Sequence, residues 1–228
     1  MPDATQTVLI TGGTDGLGRA AALLLAKHHY RVFAAGRSPE KRAELERIAR
    51  EQRLPLHTLE MDVCDHVSAQ IAVELVIETT GGIDVLINSA GVGYLAVVEE
   101  LRMQDFRKQF ETNVFGLLRV TQAVLPHMRA RRHGRILMIS SAAGLVSPST
   151  YGAYSSSKHA VEGLANALRL EMYPFGVEVI LIEPPKNLRS LTSRRPSRVL
   201  TRESIRGRGR TRTAASPGRL RKIAPRSS

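Results

Sequence analysis

Tyr154 and Lys158 lie four residues apart in a segment, 153–173, whose apolar residues recur every three to four positions, so a helix there puts both side chains on one face. A phenol with an ordinary pKa of about 10 exchanges its proton slowly at neutral pH, and a neighbouring cation favours the phenolate. The pair is therefore a candidate acid–base group, of the kind needed where an alkoxide gains or loses a proton. The same spacing also arises in plain amphipathic helices. Tyr151 is near Lys158 as well, but a separation of seven residues places it two turns away.

A second cluster suits a phosphate. A strand pattern at 7–11 runs into Thr11-Gly12-Gly13-Thr14-Asp15-Gly16-Leu17-Gly18, and the helical Arg19-Ala20-Ala21-Ala22-Leu23-Leu24-Leu25 follows. Glycines allow the tight turn and let backbone approach a pyrophosphate, while the free N–H groups and positive end of the new helix favour an anion. A strand-to-helix turn without a ligand is the plainer reading of such glycines. The βαβ pattern around the turn counts against it.

These groups need a frame. Six β-branched runs, at 7–11, 31–35, 55–61, 83–88, 135–140 and 177–182, alternate with helical patterns at 16–29, 39–52, 66–79, 104–131 and 153–173. That alternation predicts an α/β fold: a doubly wound parallel sheet of the Rossmann type with six recognisable strands. Ligands of such sheets sit beyond the C-terminal strand ends, where strand order reverses. The loops after the strands are the expected walls of the site.

The glycine spacing, Gly-x3-Gly-x-Gly, resembles that of the short-chain dehydrogenase/reductase family. Further blocks carry the resemblance in order through residues 7–184: Asp62-Val63, Asn88-Ser89-Ala90-Gly91, Asn113 in Thr-Asn-Val-Phe-Gly, Ser140-Ser141 and Tyr154-x3-Lys158. It implies an oxidoreductase that moves hydride between a nicotinamide cofactor and a carbonyl or alcohol substrate, with a catalytically silent dinucleotide-binding protein on the same scaffold as the alternative. Tyr154 would be the acid/base, Lys158 the group that lowers its pKa and binds ribose, Ser141 the partner of the substrate oxygen, and Asn113 the anchor of a water relay to Lys158. Gly12, Thr14, Asp15, Gly16, Leu17 and Gly18 would form the cofactor turn. Asp62 and Val63 would flank the adenine, Asn88, Ala90 and Gly91 the adenosine side of the cleft, and Pro184 the nicotinamide end. Asn88 equally suits a strand end that bonds neighbouring loops. On an alternating strand only one of Ser140 and Ser141 is expected to face the cleft, and the family spacing selects Ser141. Gly93, Tyr94 and Leu145 are nominated for the substrate wall, and Cys64 and His159 read as packing or surface residues.

The end of the second strand bears on the cofactor. An acid there would bond a ribose 2′-hydroxyl, whereas a basic side chain suits a 2′-phosphate. The chain has Ala34-Ala35-Gly36-Arg37 and no acid before Glu40, which favours NADP with Arg37 on the phosphate and leaves NAD as the alternative. Asp15 argues the other way, since NADP-preferring family members often carry a basic residue at that place. Arg37 also reads as an ordinary solvated arginine.

Composition narrows the remaining classes. With 43% apolar and 24% charged residues the chain reads as an ordinary soluble, cytoplasmic protein, and its longest apolar run, 20–26, is far short of a membrane span. A single cysteine excludes an internal disulfide, and no histidines are spaced as metal ligands, so no metal site is expected. The net charge of +12 is local: residues 185–228 hold 14 of the 33 basic residues and one of the 21 acidic ones, leaving 19 basic and 20 acidic residues before them. The chain thus divides into a dinucleotide-binding domain, 1–184, and a basic tail, 185–228, whose composition predicts disorder. Pro184-Pro185-Lys186-Asn187 stands where the family continues with Pro-Gly, a substrate lid and a seventh strand, so both later elements are expected to be absent. A shifted or truncated reading of the gene accounts for this better than an arm for nucleic acid, which lacks aromatic residues to stack on bases. By the same resemblance the helices at 104–131 and 153–173 would form a homodimer face.

Overall fold

The computed structural model describes residues 5–184. Six strands form one wholly parallel sheet in the order β3-β2-β1-β4-β5-β6: β1 Thr7–Thr11, β2 Arg31–Gly36, β3 Leu56–Glu60, β4 Val85–Asn88, β5 Gly134–Ile139 and β6 Val177–Ile182. The expected α/β doubly wound Rossmann fold is the one observed. Among the described residues β6 is an edge strand. The expected loss of a seventh strand and lid, and the basic tail, lie outside the described residues.

The sheet is covered on both faces, which is why β1, Thr-Val-Leu-Ile-Thr, is buried along its whole length. Val8 and Ile10 face one side and pack with Ala22 and Ala26 of α1 (Gly16–Lys27) and Leu45 and Ala49 of α2 (Pro39–Glu51). Leu9, Leu86 and Ile136 face the other side. There they meet Val73 and Val76 of α3 (His66–Thr80), Val120 and Val124 of α5 (Leu117–Arg131), and Val161 and Ala165 of α6 (Gly152–Met172).

Each crossover helix of the first three begins on a side-chain cap that satisfies an otherwise unbonded N–H. Asp15 accepts from Gly16 N at 2.8 Å, Ser38 from Lys41 N at 3.2 Å and Asp65 from Ser68 N at 3.0 Å. The predicted helix over 104–131 is instead α4 (Met103–Phe110), a π-helical turn (Glu111–Gly116) and α5, a device that shifts side-chain register in the middle of a helix.

Several strand ends differ from the sequence pattern by one or two residues, and two of them have clear local reasons. Ile83 is buried but precedes β4, because the Asp84 carboxylate accepts from Thr7 N at 2.8 Å and from Arg131 at 3.0 Å. Ser140 follows β5 rather than ending it, although its N–H still reaches Ile182 O at 2.8 Å.

Candidate active site

Neighbouring β1 and β4 are followed by crossovers to opposite faces of the sheet, and a cavity of about 1420 Å³ opens beyond the C-terminal strand ends there. It runs from the glycine turn to the N-terminal half of α6. Of the residues expected from sequence, Gly12, Thr14, Asp15, Gly16, Leu17, Gly18, Arg37, Asp62, Val63, Ala90, Gly91, Ser141, Tyr154, Lys158 and Pro184 all line it.

The glycine turn is tight because nothing larger fits. A β-carbon on Gly18 would stand 2.4 Å from Gly12 O, so α1 could not leave the strand at this angle with any other residue. Gly16 has the opposite character: it sits at φ +50° and faces open space into the cavity. Thr11 fixes the opposite wall, its hydroxyl accepting from Ser89 N and Ala90 N at 3.1 Å each.

At the end of β2, Arg37 is exposed and reaches Asp62 at 3.5 Å. Lys41, which none of the motifs contains, also lines the cavity and pairs with Asp15. That bond, aided by the Gly16 N–H and by Arg19, outweighs partial burial and lowers the Asp15 pKa. The helix-start signal Ser38-Pro39 could have located Lys41, because it places residue 41 in the first turn of α2, facing back toward the strand end.

Tyr154 and Lys158 lie on one face of α6 and are both buried. Lys158 Nζ donates to Ile139 O at 2.7 Å and stands 5.8 Å from the centre of the Tyr154 ring. Burial pushes its pKa down to about 8, against the pull of Glu162. Lys158 is not among the groups that shift the Tyr154 pKa. Burial raises the phenol, a hydrogen bond with Ser141 opposes that rise, and Tyr151 adds to it.

Ser140 and Ser141 both line the cavity, contrary to the alternation argument, because the strand has ended at Ile139. Ser141 caps a short 3-10 turn and accepts from Ala143 N at 3.1 Å, whereas the buried Ser140 hydroxyl has no bonding partner among the described residues. Tyr151 also reaches the wall. It precedes α6 in a non-helical conformation, so helical spacing misplaces it, and its ring meets Tyr154 edge-on at 6.2 Å.

Two expected residues stand behind the wall. Asn88 is not at the cavity: it is buried at the end of β4 and donates to Thr121 Oγ1 of α5 at 2.9 Å, rather than to a neighbouring loop. Asn113 sits in the π-helical turn, accepts from Val92 N at 2.8 Å and donates to Val92 O at 3.0 Å and Ser157 Oγ at 3.1 Å. Gly93, Tyr94 and Leu145 do not line the cavity, whereas Val92, Thr112 and the half-buried Cys64 do. Burial holds the Cys64 thiol above its ordinary pKa, and no cation beside it outweighs that rise. Among the described residues no group of three His, Cys, Asp or Glu is placed to hold a metal, and no helix is long and apolar enough to cross a membrane.

Comparison with known proteins agrees with this geometry. The family model for short chain dehydrogenases matches residues 6–195. The uncharacterized oxidoreductase YusZ of Bacillus subtilis (strain 168) is 39% identical over 181 residues, which is 78% of this chain and 64% of that one. A 3-ketodihydrosphingosine reductase of Bacteroides thetaiotaomicron is 37% identical over 179 residues, 78% of this chain and 63% of its own. The chain therefore spans just over six-tenths of the length of these curated relatives. A crystal structure of a gluconate 5-dehydrogenase from Burkholderia cenocepacia J2315, in complex with NADP and tartrate, superposes with a TM-score of 0.75 at 29% identity, covering 79% of this chain and 71% of that one. Other solved neighbours hold NADPH or NAD+. The glycine turn, the strand order and the placement of Tyr154 and Lys158 beside one cavity thus coincide with a family match over most of the chain, which belongs to the short chain dehydrogenase family.

Proposed function

We propose that this chain is an NAD(P)-dependent oxidoreductase that interconverts a carbonyl and an alcohol, with NADP(H) preferred and NAD as the alternative. The observation that carries the proposal is one continuous cavity joining the glycine turn to Ser141, Tyr154 and Lys158. The residues fit a dinucleotide. Gly16 leaves open space at the start of α1, where free N–H groups favour phosphate, and Arg37 and Lys41 supply positive charge at the end of β2. Asp15 carries the opposing charge, but Lys41 is already paired with it.

The hydride would come from, or go to, NADP(H) when it is bound. The chain handles the proton: with its pKa raised by burial, Tyr154 is protonated at neutral pH and has a proton to donate toward a substrate oxygen. Ser141, bonded to Tyr154, is the second donor to that oxygen. Lys158, fixed on Ile139 O, holds its charge beside the phenol and would be the residue to bind the cofactor ribose. Asn113 supports the site from behind through Val92 and Ser157.

The substrate is a small-molecule carbonyl or alcohol. Beside Tyr154 the cavity is lined by Tyr151, which packs with Ala143 and Leu95 behind it. A homodimer through the helical stretches 104–131 and 153–173 would cover the exposed Phe115 and Leu170.

Replacement of Tyr154 by Phe tests the assignment. NADPH-dependent reduction of a reactive diketone, 9,10-phenanthrenequinone, should fall by about a hundredfold or more, within the range typical of a lost general acid. NADPH binding should stay within about twofold, since the phenol hydroxyl is one contact among many. Turnover at the wild-type rate would remove Tyr154 from the mechanism.

A further inference from the structure

We propose that Gln109 is a positioning residue that holds the loop 92–94 against the helix carrying Tyr154, and so sets the wall facing the substrate carbonyl. The inference rests on the oxidoreductase reading for its kinetic consequence, but not for its structural one.

Gln109 lies in the last turn of α4 and is 0% exposed. A buried amide is costly unless both ends are bonded, and an apolar side chain of similar size would fill the same space without that cost. Neither side-chain bond of Gln109 stays within its own helix. Its Oε1 accepts from Tyr94 N at 2.7 Å, and its Nε2 reaches Ser157 Oγ on α6 at 3.5 Å. One helical turn further on, Asn113 repeats the arrangement, taking both backbone groups of Val92 and the same Ser157 hydroxyl. Ser157 Oγ in turn donates to Tyr154 O at 2.8 Å. Two buried amides therefore tie successive points of one loop to a single hydroxyl on the catalytic helix.

The loop is held at other points as well. Ala96 N donates to Thr150 O at 3.0 Å, and Leu95 packs on the cluster of Ala143, Tyr151 and Tyr154. Removing the Gln109 amide frees Tyr94 alone and takes away the acceptor of its N–H, while Asn113 keeps Val92 in place. The displacement is thus confined to the stretch between Val92, which lines the cavity, and Leu95, which packs beside the catalytic tyrosine. None of these contacts reaches the glycine turn or Arg37.

The test compares Gln109→Met, which keeps length and loses both bonds, with Gln109→Glu, which keeps an acceptor for Tyr94 N–H. Amide hydrogen exchange at Tyr94, NADPH affinity and the kinetics of 9,10-phenanthrenequinone reduction are read in each. The Met variant should exchange Tyr94 about tenfold faster or more, as loss of a local bond predicts. It should raise KM about fivefold with kcat reduced less than about threefold, the pattern of lost positioning, and bind NADPH within about twofold of wild type. The Glu variant should recover Tyr94 protection and most of KM. Unchanged Tyr94 exchange in the Met variant, or a Glu variant no better than Met, would overturn the proposal. If Met fails to fold, wild-type exchange and KM in the Glu variant still support it, and the faster exchange and raised KM of a free loop in that variant still overturn it. A wild-type chain that never oxidises NADPH with the quinone would refute the oxidoreductase reading, while Tyr94 exchange would still decide whether Gln109 holds the loop.

Discussion

Lys158 shows how a single residue reconciles stability with chemistry. Its folded pKa, about 8, lies below the ordinary 10.5, so the unfolded chain binds more protons between those values and stability rises with pH across that window. Below about pH 8 the buried ammonium costs on the order of 3 kcal/mol relative to the neutral amine, since each tenfold weakening of proton binding on folding corresponds to roughly 1.4 kcal/mol. Lys158→Met should therefore gain on wild type at pH 7, and that relative gain should shrink by roughly 3 kcal/mol by pH 10.5. Urea unfolding of both proteins at the two pH values measures it, and a difference independent of pH would contradict this burial penalty. The residue types were legible in sequence because spacing along a helix is fixed. Tyr151 was not, because it sits just outside α6 in a conformation no helical period describes. Nor was the sign of the Tyr154 shift, which depends on burial, a property of the assembled wall.

The glycine turn shows the same division at the scale of elements. Its existence followed from a strand pattern, three glycines and a helix pattern in succession, but the reason for each glycine needed the structure. Gly18 is required by packing, Gly16 by backbone conformation and open space. Gly18→Ala should destabilise the fold by about 1–3 kcal/mol, as overpacking does. Gly16→Ala, strained but unobstructed, should cost less, about 1–2 kcal/mol. Thermal unfolding of the two variants measures the order, and a Gly18→Ala protein as stable as wild type would show that the turn relaxes more readily than its contacts imply. The π-helical turn escaped the sequence because one extra residue in a helix hardly disturbs an apolar period over 104–131. Its consequence is large all the same: Asn113 turns inward to Val92 and Ser157. Strand ends at Asp84 and Ser140 were blurred for a similar reason, since hydrogen bonding there continues past the ladder.

On the scale of the molecule, the parallel order was legible because parallel strands need crossover helices, and the alternation of the two patterns runs through residues 7–182. Covering both faces leaves the strand ends as the place where polar loops converge, and the reversal between β1 and β4 opens the cavity there. The cofactor preference rests on four charges at its adenosine end: Arg37 with Asp62, and Lys41 with Asp15. A 2′-phosphate would draw both cations, whereas a bare ribose would not. Thermal unfolding of the purified chain with NADPH, and with NADH alongside, measures this directly. At a hundred times its dissociation constant a ligand of the folded state adds roughly 2.7 kcal/mol, so the midpoint should rise with NADPH, and by less with NADH at equal concentration. No rise with either nucleotide would contradict the assignment of the cavity as a dinucleotide site.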